Sequence, residues 1–270
     1  MPEGDTVKRV ASRLDEALGR AELVHADLRW PGISTASLTG ATTLEVLARG
    51  KHILHRLDSG WTIHSHLRMD GMWRVRATSG FGDLTNPAIR AVVASPSWTA
   101  VGWDLGMLDL VRTSSEDTVV GHLGPDLLDP AFDRDEAVRR LLGDPAREIG
   151  QALLDQSNLA GIGNMYKAEA LFVGKVSPWT PVGEVGDVGA VVDVARRWLE
   201  RNKEHFSQST TGDPRNDHWV YGRAGKPCLR CGTRIETAQQ GDPPYDRVTA
   251  WCPRCQPGPH PEPVRRSQRR

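Results

Sequence analysis

Apolar side chains recur at three- and four-residue intervals near the start of the chain, with Val7, Val10, Ala11, Leu14 and Leu18 falling on one face between residues 5 and 19. That spacing predicts an amphipathic α-helix, and Asp5 or Thr6 is available to cap its first turn. From about residue 44 to about residue 110 the pattern changes to short apolar runs, TLEVLAR, KHILHRL, WTIHSHL, MWRVRA, IRAVVA and WTAVGW, broken by Gly, Pro, Ser and Asp. These runs predict a mostly antiparallel β domain. After LGPDLLDP the helical period returns over 132–142, 149–156, 163–174 and 188–201, which predicts a helical module behind the sheet. The polar run SQSTTGDPRND reads as a connection into the region that holds the cysteines, and PGPHPEPVRRSQRR reads as a disordered tail. The fold class expected is α+β with several domains.

Nothing in the pattern reaches eighteen consecutive apolar residues, and MPEGDTVKRV lacks the apolar block of a signal peptide. No membrane association is expected, and the expected address is cytoplasmic. Composition adds one qualification. The formal net charge of +0 argues at first against a polyanionic partner, because phosphate binding leaves a basic footprint. The average conceals an asymmetry: residues 215–270 hold eleven Lys and Arg against five Asp and Glu, so that end carries +6 and residues 1–214 carry −6. Arg265, Arg266, Arg269 and Arg270 lie beyond the last cysteine, and the remaining basic residues of this segment surround the cysteines.

All four cysteines fall in CxxC pairs, Cys228 with Cys231 and Cys252 with Cys255, separated by twenty residues. Each pair can form a knuckle that presents two thiolates, and the intervening segment can return as a hairpin, which together suit a tetrahedral four-sulfur zinc site. A closed shell of this kind is structural, since it leaves no open position for water. Two buried or redox-active thiol pairs are the other reading of the same spacing. A hairpin between the pairs would lift Arg247 clear of the metal, where a planar, permanently charged guanidinium suits a phosphate, although a lone surface arginine is more often just solvated.

The run QALLDQSNLAGIGNMYKAEALF contains a helix, a Gly-Ile-Gly turn and Asn164 opening a second helix. Unpaired amides at such a start can receive a phosphate. A tight helix connection in which Gly161 and Gly163 supply positive φ explains the glycines equally well. At the terminus, loss of Met1 would expose Pro2 as a secondary amine with a pKa of about 8 or below, a competent nucleophile near neutral pH. Glu3 beside it could move protons, and Lys51 in RGKHIL could hold a phosphate or act on an opened sugar.

Taken in order, MPEG, RGKH, HLRMDG, LGPDLL, LLDQSNLAGIGNMYKAEALF and YGRAGKPCLRCG with CPRCQ resemble the formamidopyrimidine-DNA glycosylase and endonuclease VIII family over nearly the whole chain. The resemblance implies an N-terminal catalytic antiparallel β-sandwich with flanking helices over 1–122, a helix-two-turn-helix DNA-binding domain over 123–212, a four-cysteine zinc-finger hairpin over 213–256 and the disordered tail over 257–270. It implies Pro2 as nucleophile, Glu3 as acid/base, and Lys51, Asn164 and Arg247 as phosphate and backbone contacts, with Lys51 counted among the catalytic residues. It also implies one structural Zn2+ held by Cys228, Cys231, Cys252 and Cys255. Met69, flanked by Arg68 and Asp70, aligns with the loop that fills the hole left by a flipped-out base.

MPEGDTV and HLRMDGMWRV look more like the endonuclease VIII branch, whereas the formamidopyrimidine branch starts MPELPEV. The expected activity is therefore base excision repair of oxidised bases, pyrimidines first, followed by strand scission through β,δ-elimination. The expected partner is double- or single-stranded DNA carrying oxidised bases or abasic sites, bound by a monomer at the nucleoid. Two departures stand out: Thr6 occupies a position where the family often has glutamate, and WDLGML replaces the family's DPRRFG loop. They leave room for a protein that binds damaged or single-stranded DNA with weak or no glycosylase activity. A more distant reading is a zinc-ribbon protein-interaction module fused to a β domain.

Overall fold

The computed structural model describes residues 2–80 and 84–261. Met1 lies outside the described residues, as do positions 262–270 of the predicted tail with its four arginines. Two compact units follow one another along the chain, Met1–His122 and Leu123–Arg270.

The first unit begins with α1 (Gly4–Leu18), on which Val7, Ala11, Leu14 and Leu18 are buried. The helix starts earlier than Asp5 or Thr6 would place it: Glu3 is the N-cap, in extended conformation and without a side-chain cap hydrogen bond. At the other end, Gly19 N–H closes on Asp15 O, while the Asp15 carboxylate accepts Val46 N–H at 2.7 Å and pins the helix to the sheet.

Eight strands follow: β1 (His25–Leu28), β2 (Thr43–Arg49), β3 (His52–Leu57), β4 (Trp61–His66), β5 (Met72–Ala77), β6 (Ile89–Ala94), β7 (Trp98–Trp103) and β8 (Met107–Arg112). They form two four-stranded sheets ordered β1-β6-β7-β5 and β2-β3-β4-β8, with every pairing antiparallel. Leu28, Ala91, Val93 and Ala100 of one sheet share a core with Val46, Ile53, Leu57, Ile63 and Leu108 of the other and with the apolar face of α1. This is a β-sandwich with a flanking helix. Each buried Val, Leu or Ile side chain there contributes about 1.5–3 kcal/mol over its exposed state. Strand β1 lies outside the apolar runs, because HADL has only Leu28 fully buried. A short helix, α2 (Asp117–Val120), ends the unit.

In the second unit α3 (Arg134–Leu141), α4 (Ile149–Leu154), α5 (Asn164–Val173) and α6 (Val188–Asn202) precede a hairpin of β9 (Glu236–Gln240) and β10 (Arg247–Trp251). Asp133 caps α3 by accepting Glu136 N–H, and Asp187 caps α6 by accepting Ala190 N–H, as short acidic side chains do at helix starts. The helices close over Leu141, Leu153, Met165, Tyr166, Leu171, Val192 and Leu199. A separate cluster joins Ala168 and Phe172 of α5 to Val220, Cys228, Ile235, Ala250 and Cys252, so the cysteine module packs on α5. Among the described residues, no helix is long and apolar enough to cross a membrane.

Candidate active site and nucleic-acid interface

Pro2 is half-buried immediately ahead of α1. Glu3 and Asp5 are both fully buried at the start of that helix, where unpaired amides and the positive end of the helix dipole favour negative charge. Pro2 and a water-shielded carboxyl thus occupy adjacent positions.

Lys51 sits in the two-residue turn that joins β2 to β3, not on the strand itself. Arg49 pairs with His52 across that turn, and Gly50 has φ 58°, the positive value that type II′ hairpin turns require at their first central position. The Lys51 side chain is half-buried. Beside it, three histidines collect around His52. Its Nδ1 is 2.8 Å from His64 Nε2, and its ring meets those of His66 and His122 edge-on with centroids 4.9 and 6.0 Å away. His64 Nδ1 lies 3.0 Å from the Asp109 carboxylate. Burial, then His66, His64, His122 and Lys51, press His52 down to about 3. Burial, then Lys51, His64 and Arg68, press His66 down to about 4. His52 and His66 are therefore uncharged at neutral pH, and no part of the sequence pattern announced the cluster.

The chain between β4 and β5 turns at Leu67–Gly71, closed by Gly71 N–H to Leu67 O at 3.0 Å. Leu67 is buried and Met69 is 59% exposed, so the turn holds one side chain inside and projects the next pair outward. Arg68 adopts φ 52°, and its N–H donates to His66 Nδ1 at 2.9 Å. The WDLGML loop supports this turn from below. Gly106 N–H donates to His66 O at 3.0 Å, and a Cβ on Gly106 would come within 2.5 Å of the Arg68 side chain.

In the second unit the glycine turn is only half as expected. Gly161 has φ 96°, whereas Gly163 is the extended N-cap of α5, with φ −128°. Asn164 opens α5, and its Nδ2 donates to Val248 O on β10 at 2.9 Å. Its buried Oδ1 has no hydrogen-bond partner among the described residues. One turn further along α5, the fully buried Lys167 donates to Thr249 Oγ1 at 2.5 Å and Gln240 Oε1 at 3.3 Å. Gln240 Nε2 in turn donates to Glu148 Oε2 and Pro178 O. A Cβ on Gly150 would lie 2.3 Å from Gln240 Oε1, so glycine is what admits Gln240 there. These contacts bolt the start of α5 to the hairpin. Arg247, the first residue of β10, is exposed, and its Nη1 donates to Asp246 O at 2.7 Å. Tyr245 and Val248 project beside it, 80% and 53% exposed.

Sequence reasoning had also passed over Glu169. Its fully buried carboxylate accepts the N–H groups of Trp219, Val220 and Tyr221 at 2.8–2.9 Å and the Thr210 hydroxyl. That bond set anchors the segment leading into the cysteines.

The four Sγ atoms of Cys228, Cys231, Cys252 and Cys255 lie within 4.8 Å of one another, with pairs at 3.9 and 3.5 Å. Tetrahedral Zn–S bonds of about 2.3 Å set sulfurs roughly 3.8 Å apart, so the donor set fits one structural zinc ion. Bound zinc would hold all four as thiolates and tie the two knuckles together.

The formamidopyrimidine-DNA glycosylase N-terminal domain matches residues 1–105, the H2TH domain of that family 123–204, and the zinc finger found in FPG and IleRS 225–258. A Streptomyces coelicolor protein named "Probable endonuclease 8 2" is 50% identical, the match covering 97% of this chain and 96% of that one. The "DNA-(apurinic or apyrimidinic site) lyase Nei2" of Mycolicibacterium smegmatis is 45% identical over 95% of this chain and 99% of its own. Among solved structures, a Lactococcus lactis formamidopyrimidine-DNA glycosylase bound non-covalently to abasic-site DNA superposes with TM-score 0.80 at 22% identity, covering 95% of this chain and 100% of that one.

Proposed function

The chain belongs to the formamidopyrimidine-DNA glycosylase and endonuclease VIII family, and from that premise we propose that it excises oxidised bases, pyrimidines foremost, and cuts the strand by β,δ-elimination through an iminium at Pro2. The reading rests above all on Pro2 standing next to a fully buried Glu3 carboxyl at the head of α1. Once Met1 is removed, the Pro2 lone pair attacks C1′ of the damaged nucleotide. The N-glycosidic bond breaks and the base departs with its electron pair, taking the proton that the Pro2 nitrogen sheds. A proton from Glu3 to the sugar ring oxygen opens the ring as the iminium forms, which turns one difficult displacement into two easier steps. Loss of a C2′ proton then expels the 3′ phosphate, and a second elimination expels the 5′ phosphate.

Lys51 holds the backbone phosphate at the lesion in this scheme. Met69 and Arg68 fill the space left in the stack, offsetting an unstacking cost of a few kcal/mol. Asn164 and the amides at the start of α5 receive a second phosphate, and Arg247 a third. The acceptors are double- or single-stranded DNA with oxidised bases or abasic sites, bound by a monomer at the nucleoid.

The test is borohydride reduction during incubation with an abasic-site oligonucleotide. A covalent adduct mapping by peptide mass spectrometry to the N-terminal proline is the expected result. Binding without an adduct would make the protein a reader of damage, and an adduct on Lys51 would replace the nucleophile. For the grip, Arg247→Ala is expected to weaken binding about tenfold on every sequence, the worth of one charge-assisted hydrogen bond. The slope of log affinity against log salt should flatten by about 1. An unchanged slope would remove Arg247 from the phosphate contacts.

A further inference from the structure

We propose that Asp109, His64, His52 and His66 form a chain of positioning residues that holds the Lys51 turn and the Arg68–Met69 turn in one arrangement, through imidazole tautomers that persist only while the rings are uncharged. The proposal rests on the reading of Lys51, Arg68 and Met69 as DNA contacts.

The tautomers follow from the hydrogen bonds taken in order. Asp109 can only accept, so His64 presents Nδ1–H to it across 3.0 Å. A neutral His64 then has its lone pair on Nε2, and His52 must donate to it from Nδ1 across 2.8 Å. His52 follows Lys51 directly in the chain and packs against His66. His66 in turn must keep a lone pair on Nδ1, because that atom accepts the backbone N–H of Arg68. The bond matters there because Arg68 is held at φ 52°, a left-handed conformation that is unfavourable for a residue with a Cβ. Asp109 on β8, His64 and His66 on β4 and His52 at the head of β3 thus connect the two turns that meet the lesion.

Protonation would break the chain at its last link. A second proton on His66 goes to Nδ1 and turns the acceptor of Arg68 N–H into a donor facing it. The charged groups around the cluster bear on this in both directions: Lys51 and Arg68 oppose a proton, while Asp109 and Glu116 favour one on His64. Burial, with Lys51, His64 and Arg68 behind it, leaves His66 at about 4, below its ordinary value of 6.5. The neutral form therefore holds the turn above that pH, and the hold is lost as pH falls through about 4.

His66→Phe and His66→Asn separate this role from mere packing. Phenylalanine removes the acceptor, whereas asparagine offers Oδ1 near the position of Nδ1 and does not titrate. His66→Phe is expected to lower kcat for excision of an oxidised base at least tenfold and to lower cleavage of a ready-made abasic site by less than threefold, since only the first must extrude a paired base. His66→Asn should recover excision to within threefold of the wild type. It should also lack the part of the wild-type acid limb that falls as pH approaches 4. Equal loss on both substrates, or an Asn variant no better than Phe, would overturn the proposal. A wild type inactive on both substrates would instead overturn the glycosylase reading on which it stands.

Discussion

A protein carrying one additional residue ahead of Pro2 is expected to bind abasic-site DNA with the affinity of the processed form and to nick it at least a thousandfold more slowly, since removal of a covalent nucleophile costs on the order of 10^3 or more in turnover. Binding is preserved because the phosphate contacts assigned to Asn164 and Arg247 sit in the second unit, far along the chain from the change. Turnover is lost for an electronic reason. The nitrogen of a processed Pro2 is a secondary amine with a pKa of about 8, so an appreciable fraction carries a free lone pair at neutral pH. Acylated by a preceding residue, the same nitrogen is an amide whose lone pair is delocalised into the carbonyl. It can neither attack C1′ nor become an iminium. The extra residue leaves Glu3, fully buried at the helix cap, chemically unchanged, which isolates the effect to the nucleophile. Proteolytic removal of the extra residue should restore nicking. Undiminished nicking by the blocked protein would mean that another group does the chemistry.

The sequence pattern revealed the first helix, the alternation of the sheet region and the paired cysteines because each is a local signal with a fixed period or spacing. It placed the helix cap at Asp5 or Thr6, whereas Glu3 occupies that position, since preferences for capping side chains say nothing about a terminus held by burial. Strand β1 escaped notice because its pairing with β6 joins residues more than sixty positions apart, with one fully buried side chain to mark it. Gly163 looked like a left-handed glycine and is extended, because two glycines in a short turn do not reveal which one takes positive φ.

The larger omissions share a cause. His52, His64, His66 and His122 occupy three separate stretches of chain, and only the β3–β4–β8 register brings His52, His64 and Asp109 into line. Lys167 reads as an ordinary helix lysine until β10 covers it with Thr249. Gly106 and Gly150 read as loop and helix-start glycines, yet each makes room for a side chain from elsewhere, Arg68 and Gln240 respectively.

Cys231→Ser, or removal of zinc by a strong chelator, is expected to weaken DNA binding about a hundredfold, some 2.7 kcal/mol and an order of magnitude beyond Arg247→Ala. Among the described residues, the buried cluster under the hairpin is small, Ala168, Phe172, Val220, Cys228, Ile235, Ala250 and Cys252, with Val173, Trp219, Cys231 and Cys255 partly buried against it, and modules below about 40 residues seldom hold together without a metal or disulfide. Zinc in four-cysteine sites supplies an apparent 10–16 kcal/mol or so to folding. Its loss removes more than Arg247. Strand β10 also provides Val248 O to Asn164 and Thr249 Oγ1 to the buried Lys167 ammonium, and β9 provides Gln240. Without the hairpin, the ammonium loses these acceptors in a buried setting and the start of α5 loses its clamp, so the two proposed phosphate contacts fail together. Hydrogen exchange should show lost protection over 225–258 and over the first turn of α5, with the sheets of the first unit unchanged. The pH dependence has a definite sign: zinc must displace thiol protons, so acid favours its release and the same collapse should follow mild acidification with chelator present. Zinc-free protein that binds abasic-site DNA within threefold of the holoprotein would show that the hairpin does not depend on the metal or, where hydrogen exchange finds the hairpin collapsed, that the coupling through Asn164 and Lys167 carries no binding energy.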